Sequence, residues 1–582
     1  MGRRRYARCG TTGGNPAKAA PHCRCLRRLL GRLGGFPPGN GADAWRNMTG
    51  RPRGAGLRAA TPVRNLRHSG SAATPTATHT GPAMSRLSPG SRNQLLLLAV
   101  VVAGALGAFW WMRGSTHDLV IVNGRVMDPE TGLDATRNLG ITGGTIVAVT
   151  EDALEGSDTI DATGLVVAPG FIDLHAHGQS SVGERLQALD GVTTALELEI
   201  GVYPVAAWYA SREGRTLLNF GATVSHPNAR TKLLAGIDVG HQPTLPPGEN
   251  ESMGSDIIYQ ELDDAQVAEL AALMEGGLEE GGLGYGFGIT YTPGASRTEI
   301  IDLFESAAAN GVPAYVHLRA ADEGGNLGPF QEVIANAAAT GVSLHIVHLN
   351  SSADESAMDA LGLIRGAAER GLDVTTEAYP YTASSTFIES ALFDPWEGLD
   401  DSEYQRLQWP GQAERLNTET FRQYREQGGW VVIHGRNEET NEWIVAQPDV
   451  IAASDGIPFL FTSVHPRGAG TFARILGHYS RDRGVISLMD ALAKMTILPA
   501  RRVEGAAPVM ARKGRVQEGA DADLALFDPE TVLDMADYDA PATPSRGFMH
   551  VLVGGTPVVR DGSVVDGVYP GQAIRRVIAP VS

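Results

Sequence analysis

"APGFIDLHAHG", residues 168–178, reads as a short apolar strand that follows Pro169-Gly170 and ends in two histidines, His175 and His177. Side chains alternate faces along a strand, so these two imidazoles point the same way and can grip one ion together. A lone histidine at such a place is more often a satisfied core residue than a ligand. The meaning of the pair therefore depends on what arrives at the ends of other strands.

From about residue 169 the chain alternates apolar strands with Ala/Leu/Glu-rich helical stretches. "TTALELE" (193–199), "NFGATVSH" (219–226), "GLGYGFGIT" (282–290), "PAYVHLRA" (313–320), "SLHIVHLN" (343–350), "LDVTTEAYPY" (372–381) and "DVIAASDG" (449–456) each sit where a strand should end. With the first strand they make eight, enough to close a parallel α/β barrel of the TIM, (β/α)8, type. Active sites of such barrels lie at strand C-termini, where the candidate ligands fall: His175 and His177 on strand one, His317 on strand five, His348 on strand six and Asp455 on strand eight. Imidazoles grouped with a carboxylate suit zinc, one ion or two, and a divalent ion bound this way turns water into a nucleophile near neutral pH.

Around the barrel, assigned to residues 169–504, residues 118–168 and 505–578 read as short strands and turns. They are expected to pair into one small β-sandwich domain formed from both flanks. About sixty residues between strands seven and eight, 390–449, carry Trp396, Trp409, Trp430 and Trp443 and are expected to form a lid on the active-site face. The run "GGLGYGFG" (281–288) falls on a strand and is not a phosphate cradle; neither a P-loop nor a dinucleotide fingerprint occurs.

Charge divides the chain. The 582 residues carry a net charge of -18, yet residues 1–94 hold seventeen Lys/Arg against the single acid Asp43. That stretch, rich in Gly, Pro, Ala and Arg, reads as a disordered basic tail, with Met84 as an alternative start of translation. No folded nucleic-acid reader accompanies it, so no nucleic-acid partner is expected. Leu95–Met112 is an uncharged run of eighteen residues, read as an export signal or a single-span membrane anchor. This places the catalytic part outside the cytoplasm, periplasmic or anchored. All three cysteines, Cys9, Cys23 and Cys25, lie in the tail, so the body has neither disulfide nor thiolate ligand.

"GFIDLHAH", "GVTT", "GITYTPGASRTE", "YPYTASST", "ASDGIP", "HPRGAGTFARILGHY" and "MTILPARR" together resemble the amidohydrolase superfamily, and within it the N-acyl-D-amino-acid deacylase (D-aminoacylase) branch. The resemblance runs from about residue 118 to the C-terminus. His-x-His marks only the superfamily, whereas "YPYTASST" with "HPRGAGTF" is more specific. It implies His175, His177, His317 and His348 as metal ligands. Asp455 would be a further ligand and the general base for the attacking water. Arg467, Tyr379, Tyr381 and Ser385 would receive the substrate's α-carboxylate, and Tyr291 would donate to the amide oxygen. Barrel packing is an equal reading for each tyrosine.

Two departures stand out. The resemblance implies a cysteine ligand at the end of strand two, where this chain has "ELEIG"; Glu197 or Glu199 would substitute as a carboxylate able to bridge two ions, and Glu199 is favoured as nearer the strand's end. The only lysines of the body are Lys232, Lys494 and Lys513, so strand four offers none for a carbamylated bridge. The second departure is Asn350, where the branch has a lysine two residues after the histidine; its loss weakens carboxylate recognition. Glu377 reads as an orienter behind a ligand, and His226 as second-layer or structural. Arg319 also falls near a strand end, and His465 is not expected to be a ligand. The expected activity is metal-dependent hydrolysis of N-acyl amino acids, the D preference resting wholly on the resemblance. A cyclic amide or a dipeptide is the alternative substrate, and a non-catalytic interaction protein the remote one.

Overall fold

A computed structural model describes residues 117–177, 179–239, 256–321, 325–459 and 464–577. Eight strands form one parallel sheet: β1 (Phe171–Asp173), β2 (Val192–Val202), β3 (Asn219–Ser225), β4 (Tyr285–Gly288), β5 (Ala314–His317), β6 (Leu344–Ile346), β7 (Val374–Ala378) and β8 (Ile451–Ala452). They pair in sequence order from β1 to β8. Just past the strand ends Ala176 and Gly456 form a parallel bridge that brings β8 back to β1. The eight strand ends read from the sequence are the eight of the barrel.

Asp173 reinforces that seam. Its fully buried carboxylate accepts from the backbone of His175 (3.1 Å) and of Ser454 (3.0 Å) and from the Ser454 hydroxyl (2.5 Å). Burial pushes this carboxyl up to about 6, against the pull of those hydrogen bonds. The glycines of "GGLGYGFG" serve packing: a Cβ on Gly286 would stand 2.6 Å from the Glu199 carbonyl oxygen and 2.5 Å from the Thr223 hydroxyl. Only glycine lets β4 approach β2 so closely.

Strands from both flanks join in a single nine-stranded sheet. Val166–Pro169, immediately before β1, pairs antiparallel with Leu524–Phe527, so segments more than 350 residues apart share one ladder. Phe171 stacks on Phe472 at 5.5 Å and meets Phe548 edge-on at 5.9 Å, tying this sheet to the barrel. Below the aromatics, Asp523 accepts from Lys513 (2.6 Å) and from Asn219 of β3 (3.0 Å). Burial opposes the Lys513 charge, but Asp523 and Asp521 hold its pKa above the ordinary lysine value.

Between β7 and β8 the chain builds a three-stranded antiparallel sheet, Ser384–Phe387, Leu407–Gln408 and Trp430–Ile433, with its own core around Phe393, Tyr404 and Phe421. The tryptophans of the expected lid separate. Trp409 stacks on Tyr424 at 3.9 Å within the insertion, and Trp443 packs on the barrel core. Trp396 and Trp430 face a cavity at the barrel mouth.

The expectation of an exported or membrane-anchored protein is corrected: among the described residues no helix is long and apolar enough to cross a membrane. Leu95–Met112, on which that expectation rested, lies outside the described residues, as does the basic tail.

Replacing Lys513 by Met leaves the buried Asp523 without its cation, while Asp521 keeps Arg512 at 3.2 Å. We expect a loss of about 3–5 kcal/mol of stability, read by denaturant unfolding; a loss below about 1 kcal/mol would show that this pair does not hold the sheet to the barrel.

Candidate active site

The six candidate ligands converge at the C-terminal mouth of the barrel. Glu199 lies at their centre, although β2 buries Glu197 and Glu199 alike. Its Oε2 is 3.0 Å from His175 Nε2 and 3.1 Å from His177 Nε2. Its Oε1 is 2.6 Å from His317 Nδ1 and 2.9 Å from His348 Nε2. The two histidine nitrogens of the first pair are 2.9 Å apart and those of the second 3.0 Å. Two His/His/Glu triads thus share one carboxylate, each with its donor atoms within 4.8 Å of one another.

Donor atoms about 2.0–2.2 Å from a tetrahedral zinc stand roughly 3.3 Å apart, close to the separations here. The donor set, four imidazole nitrogens with both oxygens of one carboxylate, fits one or two divalent ions. Asp455 completes the ring: its Oδ1 is 3.4 Å from His175 Nε2 and 3.5 Å from His177 Nε2.

Behind these groups a layer of carboxylates fixes the rings. His175 Nδ1 donates to Glu377 at 2.5 Å, and His177 Nδ1 faces both oxygens of Glu197 at 3.0 Å. Glu377 is also 3.3 Å from His345 Nε2, and the His348 Nδ1 edge meets the Ser352 hydroxyl at 3.0 Å. Such partners select the tautomer that leaves the other ring nitrogen free for a metal.

Burial would lower the pKa of His175, but Glu199, Asp455 and Glu377 outweigh it and hold the imidazole well above the histidine range. The same contest raises His177, chiefly through Glu197. Burial likewise opposes the charges of Glu199 and Glu377, yet His175 and its neighbours hold both down, Glu377 to about 2. Negative charge concentrated among imidazoles is the field a divalent cation needs.

Two site residues occupy left-handed backbone that favours glycine: His348 at φ 36° and Asp455 at φ 50°. Each such residue costs on the order of 1–3 kcal/mol and persists only when its surroundings overdetermine it. Here the site holds Asp455 from the far side, where Arg467 Nη1 and Nη2 each lie 2.9 Å from one of its oxygens. Burial favours the neutral acid, but Arg467 and the histidines keep the carboxyl well below the usual carboxylate range.

The other expected residues take varied places. Tyr291, whose hydroxyl is bonded to Thr386 at 2.9 Å, and Ser385 line the cavity of about 380 Å³. Tyr379 and Tyr381 are buried behind it, their rings under Arg467 (4.8 Å) and Arg474 (5.0 Å). Asn350 donates to the Tyr379 carbonyl at 3.0 Å, which ties it to backbone, and it does not line the cavity. His226 belongs to a separate buried cluster with Glu299, which also bonds Arg230. Arg319 is paired with Glu332 at 3.1 Å on the cavity's rim, and His465 donates to the Ala383 carbonyl at 3.1 Å. Sequence reasoning missed Asp173, a lone acid in an apolar strand with no spacing to mark it. It also missed Arg436, which reaches the cavity from the insertion.

A model of the amidohydrolase family matches residues 158–234 and 363–559. An N-acyl-D-glutamate deacylase of Alcaligenes xylosoxydans xylosoxydans is 29% identical over 509 residues, 79% of this chain and 96% of that protein. A D-aminoacylase of the same organism is 28% identical over 495 residues, 79% of this chain and 97% of that protein. The crystal structure of N-acyl-D-glutamate deacylase from Bordetella bronchiseptica, complexed with zinc and a phosphonate mimic of the tetrahedral intermediate, is similar with a TM-score of 0.67. It is 26% identical and covers 79% of this chain and all (100%) of that one.

Glu377→Gln and Glu197→Gln each remove a charge behind a histidine without touching the shared carboxylate. Metal affinity measured by chelator competition is expected to fall about 10–100-fold in both. Unchanged affinity in the two variants would mean that these carboxylates do not orient ligands.

Proposed function

Because the chain belongs to the amidohydrolase superfamily, in its D-aminoacylase branch, we propose that it hydrolyses the amide bond of N-acyl amino acids, those of D configuration in particular. The observation that carries the chemistry is the Glu199 carboxylate held between two histidine pairs at the barrel mouth. The acyl-amino-acid substrate and its D configuration are supported by the activities of the similar proteins.

His175, His177, Glu199, His317 and His348 would hold the metal, with Asp455 beside them, and zinc is the ion of the similar Bordetella structure. When bound, such an ion polarises the amide carbonyl and acidifies water. The chain's own residues do the rest. Asp455, ionised because Arg467 and the histidines favour its charge, accepts a proton from the attacking water. It then returns that proton to the nitrogen of the departing amino acid, so one side chain serves as base and then as acid. The amide oxygen gathers charge as the carbonyl becomes tetrahedral, and the Tyr291 hydroxyl on the cavity wall is placed to donate to it. Burial and the nearby Glu199 charge raise the Tyr291 pKa, so the phenol keeps its proton and remains a donor throughout the working pH range. Trp396, Trp430 and Phe387, from the segment between β7 and β8, give the cavity an apolar wall, which supports the expected lid.

Zinc-loaded enzyme is expected to release amine from N-acetyl-D-amino acids and to do so at least about tenfold faster than from their L counterparts. Silence on both enantiomers with metal bound would move the substrate to another amide. Asp455→Asn should retain metal while turnover falls about 10²–10⁴-fold; near-normal rates would remove Asp455 from the proton path.

A further inference from the structure

Four guanidinium groups line the cavity, those of Arg319, Arg406, Arg436 and Arg467. Three of them face carboxylates already. Arg467 is gripped by both oxygens of Asp455 at 2.9 Å, Arg319 by Glu332 at 3.1 Å, and Arg406 by Glu403 at 3.5 Å. Arg436 differs. Its Nη1 donates to the Tyr379 hydroxyl at 3.1 Å and its Nη2 to the Ser351 hydroxyl at 3.0 Å, and no carboxylate among the described residues pairs with it. A guanidinium carries five N–H donors in a rigid fork. Here two neutral hydroxyls aim that fork, and among the described residues no anion meets its remaining donors or its charge.

Position adds a second observation. Ser351 follows Asn350, whose amide is turned onto the Tyr379 backbone. Arg436 thus bonds the neighbour of Asn350 and the side chain of the residue that Asn350 clamps. It comes from the insertion after β7, just beyond Trp430–Ile433, so this one segment supplies both apolar wall and positive charge.

We propose that Arg436, aimed by Tyr379 and Ser351, is the specificity-determining receptor for a carboxylate of the substrate, supplying positive charge from the insertion to the cavity. This rests on the deacylase reading of the site. A planar fork receives a carboxylate through two parallel hydrogen bonds and discriminates strongly against a neutral amide of the same shape.

The test uses sulfonamide analogues that cannot be hydrolysed: N-methanesulfonyl-D-leucine, its carboxamide, and N-methanesulfonyl-D-glutamate, titrated calorimetrically into the zinc-loaded enzyme. The unsubstituted enzyme is expected to prefer the leucine acid over its carboxamide about 10–100-fold if the α-carboxylate is received. If the side-chain carboxylate is received, the glutamate analogue instead outbinds the leucine acid by that factor. In Arg436→Gln the preference collapses to within about twofold, and Arg436→Lys, which keeps the charge without the fork, restores part of it. Zinc content and melting temperature verify that each variant folds; should Arg436→Gln fail to fold, the weakened preference of Arg436→Lys decides. A preference unchanged in the variants, or no preference in the unsubstituted enzyme, overturns the proposal. Turnover of N-acetyl-D-leucine is read separately: its absence counts against the deacylase reading alone, since the binding comparison needs no catalysis.

Discussion

Both oxygens of one buried carboxylate are committed at the centre of this molecule, Oε2 of Glu199 to His175 and His177, Oε1 to His317 and His348. A carboxylate stripped of water at such a depth is stable only if positive charge surrounds it. Protonated imidazoles supply that charge in part, a bound divalent ion would supply it more fully, and the remaining architecture positions the five side chains of this candidate cation site. The nearest strands contribute in pairs, β1 with two imidazoles and β2 with two glutamates, so that Glu199 takes the centre while Glu197 orients His177.

Precision at that centre comes from the seam where the barrel closes. Asp173 bonds Ser454 while the backbone of His177 donates to Gly456 at 2.9 Å, so the loop carrying Asp455 is registered directly against the loop carrying the histidines. The left-handed turns at His348 and Asp455 are tolerated because both residues are held at more than one point. The nine-stranded sheet contributes from below, since Val166–Pro169 leads straight into β1.

Much of this was legible in the sequence because apolar strands that end in histidine or aspartate state both an architecture and a chemistry. Strand alternation could not separate Glu197 from Glu199, since both lie on one face. Only the three-dimensional contacts separate them, Glu199 meeting both histidine pairs and Glu197 meeting His177 Nδ1 alone. Tyr379, Tyr381 and Asn350 look like ligand-binding groups in a motif, but three-dimensional packing turns them behind the cavity. Arg436 left no local signal, because its partner Tyr379 lies 57 residues away. The uncharged run Leu95–Met112 suggested an anchor from composition alone, and no membrane-spanning helix accompanies it among the described residues.

Everything at this centre depends on Glu199 serving both histidine pairs as their shared ligand. Anomalous diffraction at the zinc edge from crystals grown with zinc tests this directly. The expected result is a peak bonded to Glu199 together with His175 and His177, with His317 and His348, or one peak at each pair. A zinc peak away from Glu199, or histidine pairs that bind zinc with Glu199 turned aside, would contradict it.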